Sequence, residues 1–243
     1  MMNIERCGNG EKLIFIHGSG MSGRMWYEQK KDLKECFDLI FVDLPGHGKT
    51  PDYNCKSVED YRDCLYNMIK SNALEKCYLA GHSLGGAITI SFALAYPDLL
   101  KGIILIGTGA KLRVLPKILN EIKGNKSEIV EYIINLSFAD KASAELKDYF
   151  KKLMLECDAD VIFRDFNSCD RFNVMDMVEL IKIKTLILCG NEDLLTPPKY
   201  SNYLNNKIKG SKLSIIEGAG HMVMVEQPKH VNGEIKKFVL NKE

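Results

Sequence analysis

The chain has 243 residues, of which 46% are hydrophobic and 27% are charged, with 33 basic and 32 acidic side chains. This length suits one large domain, with or without an insertion, and the net charge of +1 argues against a nucleic-acid binder or a polybasic membrane anchor. No apolar run approaches the roughly 18 residues of a membrane span. The eight cysteines form no C-x-x-C pair and the first residues lack an apolar signal core, so we expect a cytoplasmic protein with reduced thiols.

The first third of the chain alternates strand-like and helix-like patterns. Residues 13–16 and 38–43 are apolar runs typical of buried strands, and residues 4–6 predict a short edge strand before the turn at 8–10. Ser22 is a candidate N-cap for a first helix. A second helix is predicted by apolar residues that recur at helical spacing, namely Val58, Tyr61, Leu65, Met68 and Ile69.

The stretch from 76 to 96 carries the most informative motif. An apolar run at 77–80 predicts a strand, and the residues after position 86 are apolar at helical spacing. Between them, residues 81–85 read Gly-His-Ser-Leu-Gly, a G-x-S-x-G pattern. A chain that passes from a strand straight into a helix turns sharply, and glycines two positions either side avoid a backbone collision. We therefore expect the Ser83 hydroxyl to project above the sheet at a helix N-terminus.

The remainder of the chain indicates an α/β fold with an insertion. Residues 102–106, 185–189 and 213–216 predict further buried strands, and helical patterns follow each of them. Residues 111–181 show only amphipathic helical patterns, which we interpret as an inserted helical lid over one edge of the sheet. The predicted core then consists of residues 1–110 and 182–243, with a mostly parallel sheet flanked by helices.

Chemically useful side chains follow three of the predicted strands. Ser83 follows one strand, Asp193 comes after 185–189, and His221 comes after 213–216. Ligands in open α/β sheets bind outside the carboxyl ends of the strands, so these residues would share one rim. The order serine, acid, histidine along the chain is the one that this fold type uses.

These motifs together resemble the α/β-hydrolase family, in its esterase/lipase type. They are H-G-S-G at 17–20, G-H-S-L-G at 81–85, G-N-E-D-x-x-x-P at 190–197 and G-A-G-H at 218–221. The resemblance implies a nucleophile at Ser83, an acid at Asp193 and a base at His221, with an oxyanion hole from the backbone N–H groups of Ser19 and Leu84. It also implies hydrolysis of a carboxylic ester through an acyl-enzyme without a cofactor.

Several alternatives stay open from the sequence. Glu192 and Glu217 are rivals to Asp193 as the acid, and the same triad also serves lactones, thioesters or a C–C bond beside a carbonyl. A non-catalytic ligand receptor would keep the same groups. A dinucleotide-binding oxidoreductase is suggested by G-x-G-x-x-G at 18–23 with Asp43, but bulky residues at 25–27 argue against its close helix packing.

Other residues receive smaller roles. We interpret His17 and His82 as structural, His47 as a loop residue and His230 as surface. The substrate is expected to be a small-molecule ester with an apolar group. Candidate pocket residues are Leu112, Phe138, Phe163 and Phe166 from the lid, with Met222 and Met224 beside His221. We expect most of the lid residues to pack the lid onto the core.

Overall fold

The computed structural model describes residues 1–241 and contains one seven-stranded sheet in the order β1-β3-β2-β4-β5-β6-β7. The strands are β1 (Ile4–Cys7), β2 (Glu11–Ile16), β3 (Phe37–Val42), β4 (Cys77–His82), β5 (Leu100–Ile106), β6 (Lys184–Gly190) and β7 (Lys212–Ile216). The edge strand β1 pairs antiparallel with β3, and every other pairing is parallel. The predicted edge strand and the mostly parallel sheet are confirmed.

Ten α-helices accompany the sheet within residues 1–241. They are α1 (Tyr27–Leu33), α2 (Val58–Ser71), α3 (Leu84–Ala95), α4 (Pro116–Glu121), α5 (Lys126–Ser137), α6 (Ala144–Glu156), α7 (Ala159–Arg171), α8 (Pro198–Lys207), α9 (Val223–Glu226) and α10 (Pro228–Val239). In this described part of the chain, no helix has the length and apolarity that crossing a bilayer requires.

The strand order reverses direction between β2 and β4, which lie side by side at the centre of the sheet. The chain leaves β2 toward β3 on one side and leaves β4 toward β5 on the other. Such a switch point opens a crevice at the carboxyl ends of the two strands. Their register aligns Ile16 with Gly81, so the segments that follow both strands meet at that crevice.

Both faces of the sheet are buried, as continuous apolar strands require. One face packs against α1, α9 and α10, with Phe15, Trp26 and Phe238 in its core. The other face packs against α2, α3 and α8, with Ile14, Tyr61 and Leu204 among the buried side chains.

Residues 111–181, called the helical segment below, contain α4 to α7. Their buried apolar side chains are continuous with the cores of the sheet: Ile129 and Phe150 join one face, and Cys169 and Phe172 join the other. That this segment acts as a lid stays a prediction.

The start of the first helix differs from the expectation. Ser22 has an extended backbone but its hydroxyl makes no cap hydrogen bond, and it is buried without a partner. The chain instead enters a short 3₁₀ helix at Gly23–Trp26 before α1. Ser22 therefore stands at the predicted N-cap position, but of the 3₁₀ helix, and it does not cap that helix through its side chain.

Candidate active site

Ser83 occupies the sharp turn between β4 and α3. Its backbone has φ +53° and ψ −114°, a conformation that residues with a side chain rarely adopt. The turn is held by hydrogen bonds from the Ser83 N–H to the Ile106 carbonyl, 3.0 Å, and from the Thr108 hydroxyl to the Ser83 carbonyl, 2.9 Å. These bonds hold Ser83 in a strained backbone conformation at the crevice. Such strain is often found at functional sites.

The two glycines of the motif are needed because neighbouring backbone is close. A Cβ at Gly81 would lie 2.1 Å from the Gly85 carbonyl oxygen, and a Cβ at Gly85 would lie 2.3 Å from the Ile16 carbonyl oxygen. Both distances are far inside van der Waals contact, so a larger residue at either position would displace backbone. The close approach of Gly85 to Ile16 brings the turn of Ser83 against the end of β2.

Asp193 and His221 form a buried hydrogen-bonded pair. Nδ1–H of His221 donates to Oδ2 of Asp193 at 2.9 Å, and both residues are almost fully buried. The Thr196 hydroxyl donates to the same carboxylate oxygen at 2.8 Å. The backbone N–H groups of Leu195 and Thr196 donate to Oδ1 at 2.9 and 2.8 Å. Every oxygen of the carboxylate is therefore engaged by two donors.

Asp193 is stabilised as a carboxylate. Burial raises its pKa. The charge of His221 and the hydrogen bonds from His221 and Thr196 outweigh that effect and lower the pKa from 3.8 to about 2. The alternative acids differ in their surroundings, because Glu192 is exposed and Glu217 is exposed with its carboxylate bonded to Asn191. The structure thus pairs Asp193, and neither glutamate, with His221.

Ser83 and His221 are near each other but do not share a hydrogen bond. Both residues contact the segment formed by Gly107 and Thr108. The Thr108 hydroxyl bonds to the Ser83 carbonyl, and a Cβ at Gly107 would lie 3.2 Å from Nδ1 of His221. The Ser83 hydroxyl itself makes no hydrogen bond to the His221 ring in this structure. In the absence of substrate, catalytic hydrogen bonds are often long and tighten on binding.

Two backbone N–H groups next to Ser83 have no acceptor within residues 1–241. They belong to Leu84, the first residue of α3, and to Ser19, in the turn after β2. The first N–H groups of a helix lack intrahelical partners and favour negative charge. Gly18 lies directly against the Ser83 side chain, where a Cβ would be 3.3 Å from Cβ of Ser83. These two free donors therefore flank the serine.

Two further histidines support the loops around the site. His17 accepts a hydrogen bond from the Leu44 N–H at 3.0 Å and donates to the Gly18 carbonyl at 2.8 Å. Burial and the neighbouring His47 charge lower the pKa of His17 to about 4. His82 donates to the His221 carbonyl at 3.0 Å, and burial together with the His221 charge lowers its pKa well below its usual value. Their predicted structural roles agree with these bonds.

His47 is more than the loop residue that the sequence predicted. Its ring is buried and donates at 2.9 Å to Asp165 of α7, a residue that the sequence analysis missed. Burial lowers the pKa of His47, but the charge of Asp165 and the hydrogen bond to it raise the pKa well above its usual value. The exposed position of His230 was predicted correctly.

The carboxylate that a dinucleotide site would need is already used by the chain. Asp43 accepts hydrogen bonds from the N–H groups of Gly23 and Lys49, at 2.8 and 3.0 Å, and from the Asn3 side chain at 2.8 Å. Its role is to tie together the loops after β2 and β3.

A cavity of about 250 Å³ opens at Ser83. Its apolar lining comes mainly from the helical segment and includes the predicted Leu112 and Phe166, together with Val114, Leu115, Ile118 and Leu136. Phe138, Met222 and Met224 are buried in the core and Phe163 packs against it, so these four candidates do not line the cavity. The two lid residues among them, Phe138 and Phe163, pack the helical segment onto the core, as expected of most lid residues.

A second cavity of about 430 Å³ adjoins the first, and the two share Arg113, Lys199 and Tyr200. Lys111 also lines the second cavity. Within residues 1–241, no acidic side chain lines either cavity and none forms an ion pair with these three cations. Lys199 lies in the first turn of α8, where the positive end of the helix dipole disfavours a cation. The rim of the crevice is therefore electropositive.

Comparisons with known proteins match nearly the whole chain. A family model described as the alpha/beta hydrolase family matches residues 13–232. The chain is 27% identical to the AB hydrolase superfamily protein YisY of Bacillus subtilis, covering 97% of this chain and 94% of that protein. It is 25% identical to the pimeloyl-(acyl-carrier protein) methyl ester esterase of Pseudoalteromonas atlantica, covering 88% of each. A solved thermophilic esterase superposes with a TM-score of 0.88 at 30% identity, covering 100% of this chain and 99% of that one.

Proposed function

Because the chain belongs to the alpha/beta hydrolase family, we propose that it cleaves carboxylic esters as a serine hydrolase, through an acyl-enzyme and without a cofactor. The esterases among its relatives identify it as an ester hydrolase. The proposal adds the residues and the mechanism: Ser83 is the nucleophile, His221 the general base and Asp193 the acid that orients the base.

The buried pair of Asp193 and His221 beside the strained Ser83 is the observation that carries this proposal. Since Nδ1–H of His221 donates to the carboxylate, Nε2 is the unprotonated nitrogen that can take the serine proton. The carboxylate also stabilises the imidazolium that forms when the proton moves. The proposed reaction requires the Ser83 hydroxyl to donate to this Nε2 when substrate is bound.

The reaction then follows from these groups. The Ser83 oxygen attacks the ester carbonyl carbon, and His221 takes its proton and returns it to the leaving alcohol. The N–H groups of Ser19 and Leu84 stabilise the negative oxygen of the tetrahedral intermediate, each worth about 10²–10³ in rate. Water, activated by His221 in the same way, releases the acid from Ser83.

The substrate class follows from the two cavities. The apolar walls of the 250 Å³ cavity suit a short apolar chain, and the helical segment would act as the lid that supplies them. The adjoining cations Arg113, Lys199 and Lys111 favour a substrate that ends in an anionic group, because no acid of the cavity walls neutralises them. We therefore expect an ester with an apolar middle and a carboxylate or phosphate end.

Hydrolysis of p-nitrophenyl butyrate by the Ser83→Ala variant tests the proposal. We expect kcat to fall by about 10⁴–10⁶. The matched control is Ser91→Ala, which removes a buried hydroxyl from the same helix α3 without touching the crevice. An unchanged kcat in Ser83→Ala would refute the nucleophile. A wild-type protein that binds the ester without hydrolysing it would instead indicate a non-catalytic receptor.

A further inference from the structure

The turn that carries Ser19 is packed on α7 of the helical segment. The Met21 N–H donates to the Gly18 carbonyl at 3.2 Å, which closes a four-residue turn with Gly20 at φ +66°. Positive φ at the third residue is typical of a type II turn. A Cβ at Gly20 would lie 3.2 Å from the Ile162 side chain, and the Ser19 hydroxyl lies 3.8 Å from the Cys169 sulfur. One face of α7 thus contacts the turn.

Asp165 lies on that same face and bonds directly to the turn. Its Oδ2 accepts the Gly20 N–H at 2.8 Å and Nε2–H of His47 at 2.9 Å. Its Oδ1 accepts the Tyr61 hydroxyl at 2.7 Å. The residue has no exposed surface, so the three donors replace water completely.

The His47 ring is held as a cation in this network. Nδ1 lies 3.1 Å from the Pro45 carbonyl oxygen, and Nε2 lies 2.9 Å from the Asp165 carboxylate. A carbonyl and a carboxylate can only accept, so both ring nitrogens carry a proton and donate. A buried carboxylate facing a buried imidazolium is expensive to separate, because either group alone would remain as an unpaired buried charge. Asp165 is consequently a rigid anchor for whatever it bonds.

We propose that Asp165 is a positioning residue for the oxyanion hole: it fixes the Gly20 peptide and thereby the adjacent N–H of Ser19. This inference rests on the proposed function of Ser19 as an oxyanion donor. The Gly20 N–H is committed to Asp165 while the Ser19 N–H, one residue earlier, has no acceptor among the described residues. Rotation of the turn would leave the buried Gly20 N–H without an acceptor and would take one of three donors from the buried carboxylate, which disfavours it. The helical segment therefore completes the catalytic turn as well as covering it.

Three variants separate this role from simple stabilisation. Asp165→Leu removes the acceptor of Gly20, and we expect kcat to fall roughly 10- to 100-fold while KM changes by less than about threefold. Asp165→Asn keeps an amide oxygen for Gly20 and turns its NH₂ group toward the Tyr61 oxygen, but it loses the negative charge that strengthens the bond to the Gly20 N–H. Its kcat should therefore fall by roughly three- to tenfold, less than in Asp165→Leu. Tyr61→Phe removes only the bond to Oδ1, so it should lower Tm and leave kcat within about twofold.

Asp52→Asn is the matched control for Asp165→Asn. It breaks another contact between α7 and the core, the 2.6 Å pair with Arg164, without any bond to the turn. Its kcat should equal that of wild type. Circular dichroism and Tm establish that each variant is folded. If Asp165→Leu fails to fold, the contrast between Asp165→Asn and Tyr61→Phe carries the test.

The rate at which a fluorophosphonate labels Ser83 supplies the second readout, since its phosphoryl oxygen uses the same oxyanion donors. Slower labelling in Asp165→Leu, or in Asp165→Asn but not Tyr61→Phe, supports the proposal. The proposal is overturned if kcat and labelling stay at wild-type values in the Asp165 variants. It is also overturned if the loss of kcat in the Asp165 variants and in Tyr61→Phe simply follows the loss of Tm in each. Failure of wild-type Ser83 to label would instead refute the proposed function.

Discussion

Replacement of Asp193 by asparagine removes the negative charge from the proposed triad while keeping its shape. The amide oxygen can take the place of Oδ1, which accepts the N–H groups of Leu195 and Thr196 at 2.9 and 2.8 Å. The NH₂ group then faces Nδ1 of His221, 2.9 Å from the original Oδ2. Because that NH₂ group donates, the His221 ring must carry its proton on Nε2, and the nitrogen that should accept the serine proton is blocked. We expect kcat to fall by about 10³–10⁴ with little change in KM.

The same substitution has a calculable effect on stability. The pKa of Asp193 is lowered from 3.8 to about 2 in the folded protein, a difference worth roughly 2 kcal/mol at about 1.4 kcal/mol per pKa unit. A depressed carboxyl pKa stabilises the fold above the unfolded value of 3.8, and this contribution is lost as the pH falls from 3.8 through about 2. Asp193→Asn should therefore reduce the free energy of unfolding by up to roughly 2 kcal/mol at pH 7.

The assay is steady-state hydrolysis of p-nitrophenyl butyrate at pH 7, together with urea unfolding of the same preparations. Glu192→Gln is the matched control, because it changes the neighbouring, exposed carboxylate to an amide. Its kcat and its free energy of unfolding should stay at wild-type values. A variant Asp193→Asn with wild-type kcat, or a loss of kcat in Glu192→Gln instead, would refute the assignment of the acid.

Three further predictions follow from separate features of the molecule. Gly85→Ala should lower the free energy of unfolding by more than about 2 kcal/mol, because its Cβ would lie 2.3 Å from the Ile16 carbonyl oxygen. In Gly233→Ala, in α10, the new Cβ meets no atom within 4 Å, so the free energy of unfolding should rise by about 0.5–1 kcal/mol. Urea unfolding measures both. The free energy of unfolding should fall by roughly 3 kcal/mol or more between pH 6.5 and 4. The pKa of buried His17 is lowered from 6.5 to about 4 and that of buried His82 is lowered as well, so the unfolded chain takes up these protons first; a flat profile over this range would contradict the burial of the two neutral rings. The double variant Arg113→Glu, Lys199→Glu should raise KM about tenfold or more for an ester with a terminal carboxylate. Its KM for the neutral, methyl-ended analogue should stay within about twofold of wild type. Equal effects on both substrates would refute the proposed anionic end of the substrate.

The sheet and the serine turn could be predicted because local patterns determine them. Strands buried on both faces are continuous apolar runs, and the 2.1 Å approach at Gly81 shows why only glycine serves two residues before Ser83. Asp193 and His221 could be predicted because each follows a strand, and parallel strands bring their carboxyl ends to one edge.

The network around Asp165 could not be predicted in the same way. Asp165 is separated by 118 residues from His47 and by 104 from Tyr61, so no local pattern connects them. An acid in an amphipathic helix is expected on the solvated face. The available signal was its spacing, since Asp165 follows Ile162 by three residues and precedes Cys169 by four, which places it on the buried stripe of α7.

The outcomes at Ser22 and at the cavity lining also have physical causes. A serine before an apparent helix is a capping signal, but here the chain forms a 3₁₀ turn and buries the hydroxyl. Phe138 belongs to the same helical segment as Leu112, yet it packs against Phe150 at a ring distance of 5.7 Å. Which apolar residues face a cavity depends on how helices pack, and periodicity alone does not determine that.

The most direct measurement is the site of covalent modification by a fluorophosphonate, read by mass spectrometry of the peptides after digestion. The account predicts one adduct per chain on Ser83, absent in Ser83→Ala and strongly slowed in His221→Ala. An adduct on a different residue, or an unmodified Ser83 in folded protein that still hydrolyses esters, would contradict it.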